Sequence, residues 1–517
     1  MRRVRSPLPL LLALLLAGCD WDQFALLNSI PVHGDPAANP VVHVYLAVDG
    51  LSIDTVQEAA KRDPGVAAAL AEGGGWSAAP LISMFPATSD ASWGRILRTP
   101  REPGYEYQHY DPNDDDVKNA GTLGLATHAL PELPGTPLAG PPYYRAFDAY
   151  ADGYLSTLWS YRDSAAALAG SLDNLFFLLA RRSEFAHAFT GYVLEVDALG
   201  HMQKREDVLQ AFLQLWRRIE RFKREHPERR YVFTLLSDHG MDFQPAHGKE
   251  LLDFESMMPG LGLAPVKSMK EGRALGGDRA FAIPIIHTRV SYLALHTEPS
   301  RAQQVARLAS GADEVDLALA RASPRADLDP TGALQWYGLW RKGEALVTFG
   351  YDAAQDGYLL PADGRYEKLG LKLKVKDPAA LHSDEALFAL TRDSDYPDLF
   401  FRARTALASL SVEYPADVLL SFRRPYASAG FKLPGGANEI ASAGFHGSME
   451  ARSSRGTLLT EEGPLPAAVR SDAVLELFPR LGEHVRARTG ALVDADPGAG
   501  LDYAQVEAAA LLAQGAD

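Results

Sequence analysis

Three short apolar runs in this 517-residue chain end on residues able to bind cations. Val41–Val48 (VVHVYLAV) leads into Asp49-Gly50, residues 192–196 (YVLEV) lead into Asp197, and residues 231–236 (YVFTLL) lead into Ser237-Asp238-His239-Gly240. His201 follows Asp197 by four residues, one helical turn, and a remote histidine stands in Gly444-Phe445-His446-Gly447. A mixed set of carboxylates and imidazoles suits zinc, with manganese as the weaker candidate. Taken singly, each feature has a plainer explanation. An Asp after a strand commonly closes a turn or caps a helix, and a lone His is usually a hydrogen-bonded structural residue. Three such strand ends plus a distant glycine-flanked His are harder to assign to turns.

A second group of residues offers hydroxyls. The segment Met84-Phe85-Pro86-Ala87-Thr88-Ser89-Asp90-Ala91-Ser92-Trp93 sets Thr88 and Ser89 just ahead of a helical stretch, residues 91–98. Either hydroxyl can cap that helix. A helix N-terminus also aims backbone N–H groups at an incoming phosphate, so capping and nucleophilic attack are compatible roles for this segment. His247, in Ala246-His247-Gly248-Lys249, is close enough in sequence to touch a substrate but is more simply a loop histidine. His287, His296 and His382 are read as structural.

These residues need a scaffold that brings them together. The three apolar runs lack clean alternation, which suits strands covered on both faces. Between the last two, Val208, Leu209, Phe212, Leu215, Trp216, Ile219 and Phe222 form one helical stripe over residues 206–225, with Pro227 just beyond. Strand, helix, strand predicts an α/β fold with a doubly wound, mostly parallel central sheet flanked by helices. Such sheets bind ligands beyond the carboxyl ends of their strands, where all three aspartates fall. The core is expected over residues 41–286 and again over 431–517. Residues 99–145 are loop-rich, 154–182 helical, and 287–430 an inserted accessory or cap subdomain of alternating short pieces.

Composition narrows the function. Hydrophobic residues make up 47% and charged residues 23%, ordinary for a globular protein. With 66 acidic against 51 basic residues, the chain lacks the basic stripe of a nucleic-acid binder, so no nucleic-acid polymer is expected as a partner. A small anionic substrate is still compatible, because a local cationic site can outweigh the global field. No protein partner can be named from the sequence.

Arg2, Arg3 and Arg5 precede an apolar run over residues 8–16, shorter than the ~20 residues a membrane span needs. It fits a secretory signal. The run ends in Leu16-Ala17-Gly18-Cys19, which resembles a bacterial lipoprotein signal. That resemblance implies removal of residues 1–18, a lipid on Cys19, and a tether over residues 19–40. The mature protein would be exported and membrane-anchored, facing the periplasm. Its formal charge would move from −15 to −18 with the loss of three arginines. Cys19 is the only cysteine, so no disulfide can form within the chain.

The ordered set Asp49-Gly50, Phe85-Pro86-x-x-Ser89, Asp197-x-x-x-His201, Ser237-Asp238-His239-Gly240-Met241 and Gly444-x-His446-Gly447 resembles a known family. It is similar to the nucleotide pyrophosphatase/phosphodiesterase branch of the alkaline phosphatase superfamily, over residues 41–98, 185–265 and 440–480. The resemblance implies an alkaline-phosphatase-like fold, two divalent metal ions and hydrolysis of a small phosphoester. Asp197, His201 and His446 would hold one ion. Asp49, Asp238, His239 and the nucleophile's oxygen would hold the other. The Phe-Pro spacing points to Ser89 as nucleophile, with Thr88 as the fallback, although family members more often carry Thr there. A phosphomonoesterase with the same metals and a catalytically inactive anchored binding protein are the alternatives. A sulfatase would need C/S-x-P-x-R, which Ser89-Asp90-Ala91-Ser92-Trp93 lacks. One departure bears on substrate: the branch commonly places a phosphate-holding Asn shortly after the nucleophile, where this chain has Asp90-Ala91-Ser92.

Overall fold

The computed structural model describes residues 41–106, 108–119, 142–150, 163–183, 186–243, 251–287, 289–373, 375, 377–408, 412–429, 444–493 and 501–514. Cys19, the tether and His247 lie outside the described residues. Strand β1, Val41–Val48, is buried on both sides, and its side chains part to two cores. Val42, Val44, Leu46 and Val48 join one apolar cluster, while Tyr45 and Ala47 join another. This is why the run does not alternate between apolar and polar: neither face meets water.

The other strands of its sheet are β2 (Ser77–Ile82), β3 (Ala149–Tyr150), β4 (Ala188–Val193), β5 (Arg230–Leu236), β6 (Arg455–Thr460) and β7 (Val469–Arg470). Across the sheet the order is β7-β2-β6-β5-β1-β4-β3. Only β6 runs antiparallel to its neighbours; the remaining pairings are parallel. Helices α1 (Ile53–Arg62), α3 (Ser164–Arg182), α4 (Glu195–Met202) and α5 (Arg205–Glu225) cover one face. Helices α2 (Ser89–Ile96) and α7 (Pro479–Thr489) pack on the other. The fold is therefore α/β with a doubly wound, mostly parallel sheet.

One boundary departs from the expected one. Residues 192–196 do not form a strand up to Asp197. Strand β4 stops at Val193, in register with Val48 at the end of β1. The chain then turns into α4, with Glu195 and Asp197 in its first turn, where carboxylates complement the helix dipole.

A second sheet of nine strands spans residues 264–422 and is largely antiparallel. It already begins with Ala264–Pro265, ahead of residue 287, where the accessory region was expected to start. Its apolar faces are separate clusters. One of them takes in Met84, Phe85, Ala91 and Met449, so the loop before α2 is packed against this second unit. Helix α6, Leu399–Ala406, lies at that junction.

Candidate active site

Three neighbouring strands set the position of the site. Ala47 pairs with Leu236 and Val48 with Val193, so β5, β1 and β4 end at nearly one level. Asp49, Asp238 and Asp197 leave the sheet side by side at its carboxyl edge, and all are buried. Gly50 permits the crowding. Its φ is +67°, and a Cβ there would stand 3.0 Å from Asp197 Oδ1. Its amide donates to Asp238 Oδ1 at 3.3 Å. Gly240 allows a similar approach further on, since a Cβ there would fall 2.2 Å from the Arg452 carbonyl oxygen.

The six residues form two buried triads. Asp197, His201 and His446 make one, and Asp49, Asp238 and His239 the other; within each, one ligand atom per residue lies within 4.8 Å of the rest. Asp197 and His201 share a face of α4, with Nε2 of His201 3.5 Å from Asp197 Oδ2. The triads adjoin: the His239 and His446 rings stack at 3.8 Å, and Nε2 of His239 lies 3.3 Å from Asp49 Oδ1.

The Nδ1 contacts orient the imidazoles. His201 Nδ1 lies 3.0 Å from the Gly444 carbonyl, His446 Nδ1 2.7 Å from that of Ala87, and His239 Nδ1 2.9 Å from that of Gly240. A carbonyl can only accept, so each Nδ1 carries a proton, and each ring points Nε2 into the site, where its lone pair is available to a cation once Nε2 is unprotonated. Nε2 of His201 and Nε2 of His446 face each other at 3.1 Å. Two lone pairs at that separation repel unless a cation lies against both. Asp238 Oδ2 and His239 Nε2 are buried with no hydrogen-bond partner among the described residues. Orphaned buried polar atoms of these types fit a site built for divalent cations.

Electrostatics agree. Burial pushes the Asp238 carboxyl well above its ordinary range, and the charge of Asp49 adds to that. Burial opposes a charge on His239, yet Asp238 and Asp49 outweigh it and lift the imidazole to about 10. Burial, then the charges of His239 and His201, hold His446 well below the usual histidine range. Asp49 sits below its ordinary value despite burial, because the His239 imidazole lies against it and the Tyr192 hydroxyl donates to it. Left to itself the cluster draws protons onto its own groups, as carboxylates packed this tightly must.

The hydroxyls separate cleanly. Thr88 holds the N-cap position of α2 but makes no capping bond; its buried hydroxyl donates to the Tyr105 carbonyl at 2.8 Å. Ser89, the first helical residue, turns Oγ toward Asp49 Oδ1 at 3.3 Å. Ser92 is fully buried, its hydroxyl 3.3 Å from that of Ser83. Asp90 is half-buried beside Ser89 and accepts from the Tyr143 hydroxyl at 3.4 Å.

Sequence reasoning missed Tyr192, whose hydroxyl binds Asp49, and the carbonyls that fix the imidazoles. Tyr192 looked like one more apolar strand residue, and backbone acceptors leave no trace in residue type. His287 is buried 3.5 Å from Glu106, with burial pushing it down to about 3. His296 is likewise pushed down to about 3 and packs on Tyr110.

No family model matches the chain, and no curated protein matches it. Among solved structures, it is similar to a phosphonoacetate hydrolase from Sinorhizobium meliloti 1021 in complex with phosphonoformate. That match has 11% identity and a TM-score of 0.39, covering 87% of this chain and 96% of that one. It is also similar to murine ectonucleotide pyrophosphatase/phosphodiesterase 5. Here identity is 8% and the TM-score 0.43, covering 86% of this chain and 95% of that one. With identities this low and TM-scores below one half, nothing about function is carried over from either.

Proposed function

We propose that the chain is a two-metal phosphoester hydrolase of the alkaline phosphatase superfamily, preferring phosphodiesters and acting through Ser89. The observation that carries this reading is the meeting of two buried Asp/His triads with a serine hydroxyl at a helix N-terminus. Asp197, His201 and His446 would hold one ion, and Asp49, Asp238, His239 and Ser89 Oγ the other. Zinc suits this donor set best and manganese second. When bound, two such ions supply the positive charge that lets a serine hydroxyl ionise near neutral pH and that balances the phosphoryl oxygens.

The chain's own residues do the rest. Ser89 Oγ attacks phosphorus in line, forming the P–Oγ bond as the bond to the leaving oxygen breaks. The amides of the first turn of α2 have no intrahelical partner and face the phosphoryl oxygens. Water then attacks the phosphoseryl group, returning a proton to Ser89 and releasing the phosphomonoester. Thr88 takes no part, because its hydroxyl is committed to Tyr105. The protein acts outside the cytoplasm on this reading, held to a membrane by a lipid on Cys19. Among the described residues, no helix is long and apolar enough to cross a membrane.

The test is a comparison of initial rates on a generic phosphodiester and its matching monoester, using zinc-loaded protein that begins after Cys19. Faster diester cleavage supports the proposal. Faster monoester cleavage moves the protein to the phosphatase side of the superfamily, and no hydrolysis with either zinc or manganese overturns the enzymatic reading.

A further inference from the structure

A single buried guanidinium spans the two loops that carry Ser89 and His446. Arg402 lies in the middle of α6, in the second unit, and is 1% exposed. One of its terminal nitrogens, Nη2, donates to the Met84 carbonyl at 3.3 Å and to Ser454 Oγ at 2.6 Å. The other, Nη1, donates to the Met449 carbonyl and to the Pro397 carbonyl, both at 3.0 Å. Met84 is five residues before Ser89, and Met449 three after His446. Ser454 accepts from the Ser83 amide at 2.8 Å, so the two segments are also tied to each other behind the guanidinium.

The acceptors are all neutral, and Arg402 Nε has no hydrogen-bond partner among the described residues. Burial lowers its affinity for the proton to a pKa of about 9. The Asp398 charge offsets only part of that burial. A buried cation whose own hydrogen bonds all go to neutral oxygens is costly, and an apolar side chain of equal size would fill the same space more cheaply. What only arginine offers here is a planar fork whose two arms reach two different loops at a fixed separation. Arg470, another buried arginine at this junction, is built differently: it pairs with the carboxylates of Asp398 and Asp384 and lies over the Phe401 ring.

We infer that Arg402 is a positioning residue: through Met84 and Met449 it fixes the spacing between the Ser89 loop and the His446 loop, and so the distance from nucleophile to metal ligands. The inference rests on the hydrolase reading for its catalytic consequence. Its structural consequence, coupled ordering of the two loops, stands independently.

The experiment compares Arg402→Lys, which keeps the charge and loses the fork, with Phe400→Leu, a core substitution on the same helix. Measured are kcat, KM, the thermal midpoint, and backbone hydrogen exchange over residues 83–92 and 445–454. Arg402→Lys is expected to lower kcat by about 100-fold, the cost of misplacing reacting groups by about 1 Å, with KM within about threefold. Exchange should quicken in both segments together. Phe400→Leu should lower the midpoint while leaving kcat and both segments near wild type. The inference is overturned if Arg402→Lys leaves protection of both loops unchanged, or if the two variants lower kcat alike for equal loss of midpoint. If the wild-type protein cleaves no phosphoester, the hydrolase reading fails, and the exchange data alone still decide whether Arg402 couples the loops.

Discussion

Nε2 of His201 and Nε2 of His446 stand 3.1 Å apart across 245 residues of sequence, each ring held by a carbonyl at its Nδ1. Removing either ring should therefore remove one cation site and spare its neighbour. His446→Ala is expected to lower bound zinc from two equivalents to one, measured by metal analysis after dialysis. Retention of two equivalents would separate His446 from metal binding.

Ser89 and Thr88 are adjacent and make opposite predictions. Ser89→Ala should abolish turnover while both metals still bind, because its hydroxyl faces Asp49. Thr88→Val should keep most activity and lower stability by about 1–3 kcal/mol, since it orphans the buried Tyr105 carbonyl. Rates and thermal midpoints of the two variants decide it; an active Ser89→Ala protein would end the assignment.

Gly50 combines a left-handed backbone with contact against Asp197. Gly50→Ala should cost about 1–2 kcal/mol from the backbone alone, and should weaken zinc binding as Asp197 is displaced. Competition with a chromophoric chelator would register that loss.

Asp148 provides a pH test away from the site. Burial alone would raise its carboxyl, but His484, Arg488 and Arg182 surround it and hold it at about 2. An unfolded Asp titrates near ~3.9. The folded value lies lower, so this stabilisation of about 2–3 kcal/mol is full above pH ~4 and fades as pH falls toward 2. Asp148→Asn should lower the thermal midpoint clearly at pH 7, and the gap to wild type should narrow by pH 2.5. A gap that stays constant across that range would rule out the carboxylate's charge as its source.

Much of the core was legible because strands covered on both faces leave an unbroken apolar signature. The runs around Val41–Val48 and Arg230–Leu236, and the stripe of helix Arg205–Glu225, fall within a residue or so of their expected limits. The run over residues 192–196 misled because Val196 is as apolar as a strand residue. It is buried as part of α4, and a short apolar stretch does not distinguish the two states. The start of the second sheet at Ala264 was not legible either, since a two-residue edge strand has no period to detect.

The sequence alone determined which residues could do chemistry: the strand-end aspartates, the histidine one turn after Asp197, the Asp-His pair and the remote His446. These follow from residue type and local spacing, which the chain carries in one dimension. Only the tertiary structure decided which of two adjacent hydroxyls faces Asp49, which nitrogen of each histidine looks inward, and that Arg402 grips both loops. Most of those outcomes depend on partners distant in sequence, such as the Gly444 carbonyl at His201, the Ala87 carbonyl at His446 and the Met84 carbonyl at Arg402, and contacts of that kind exist only once the sheet has closed around them.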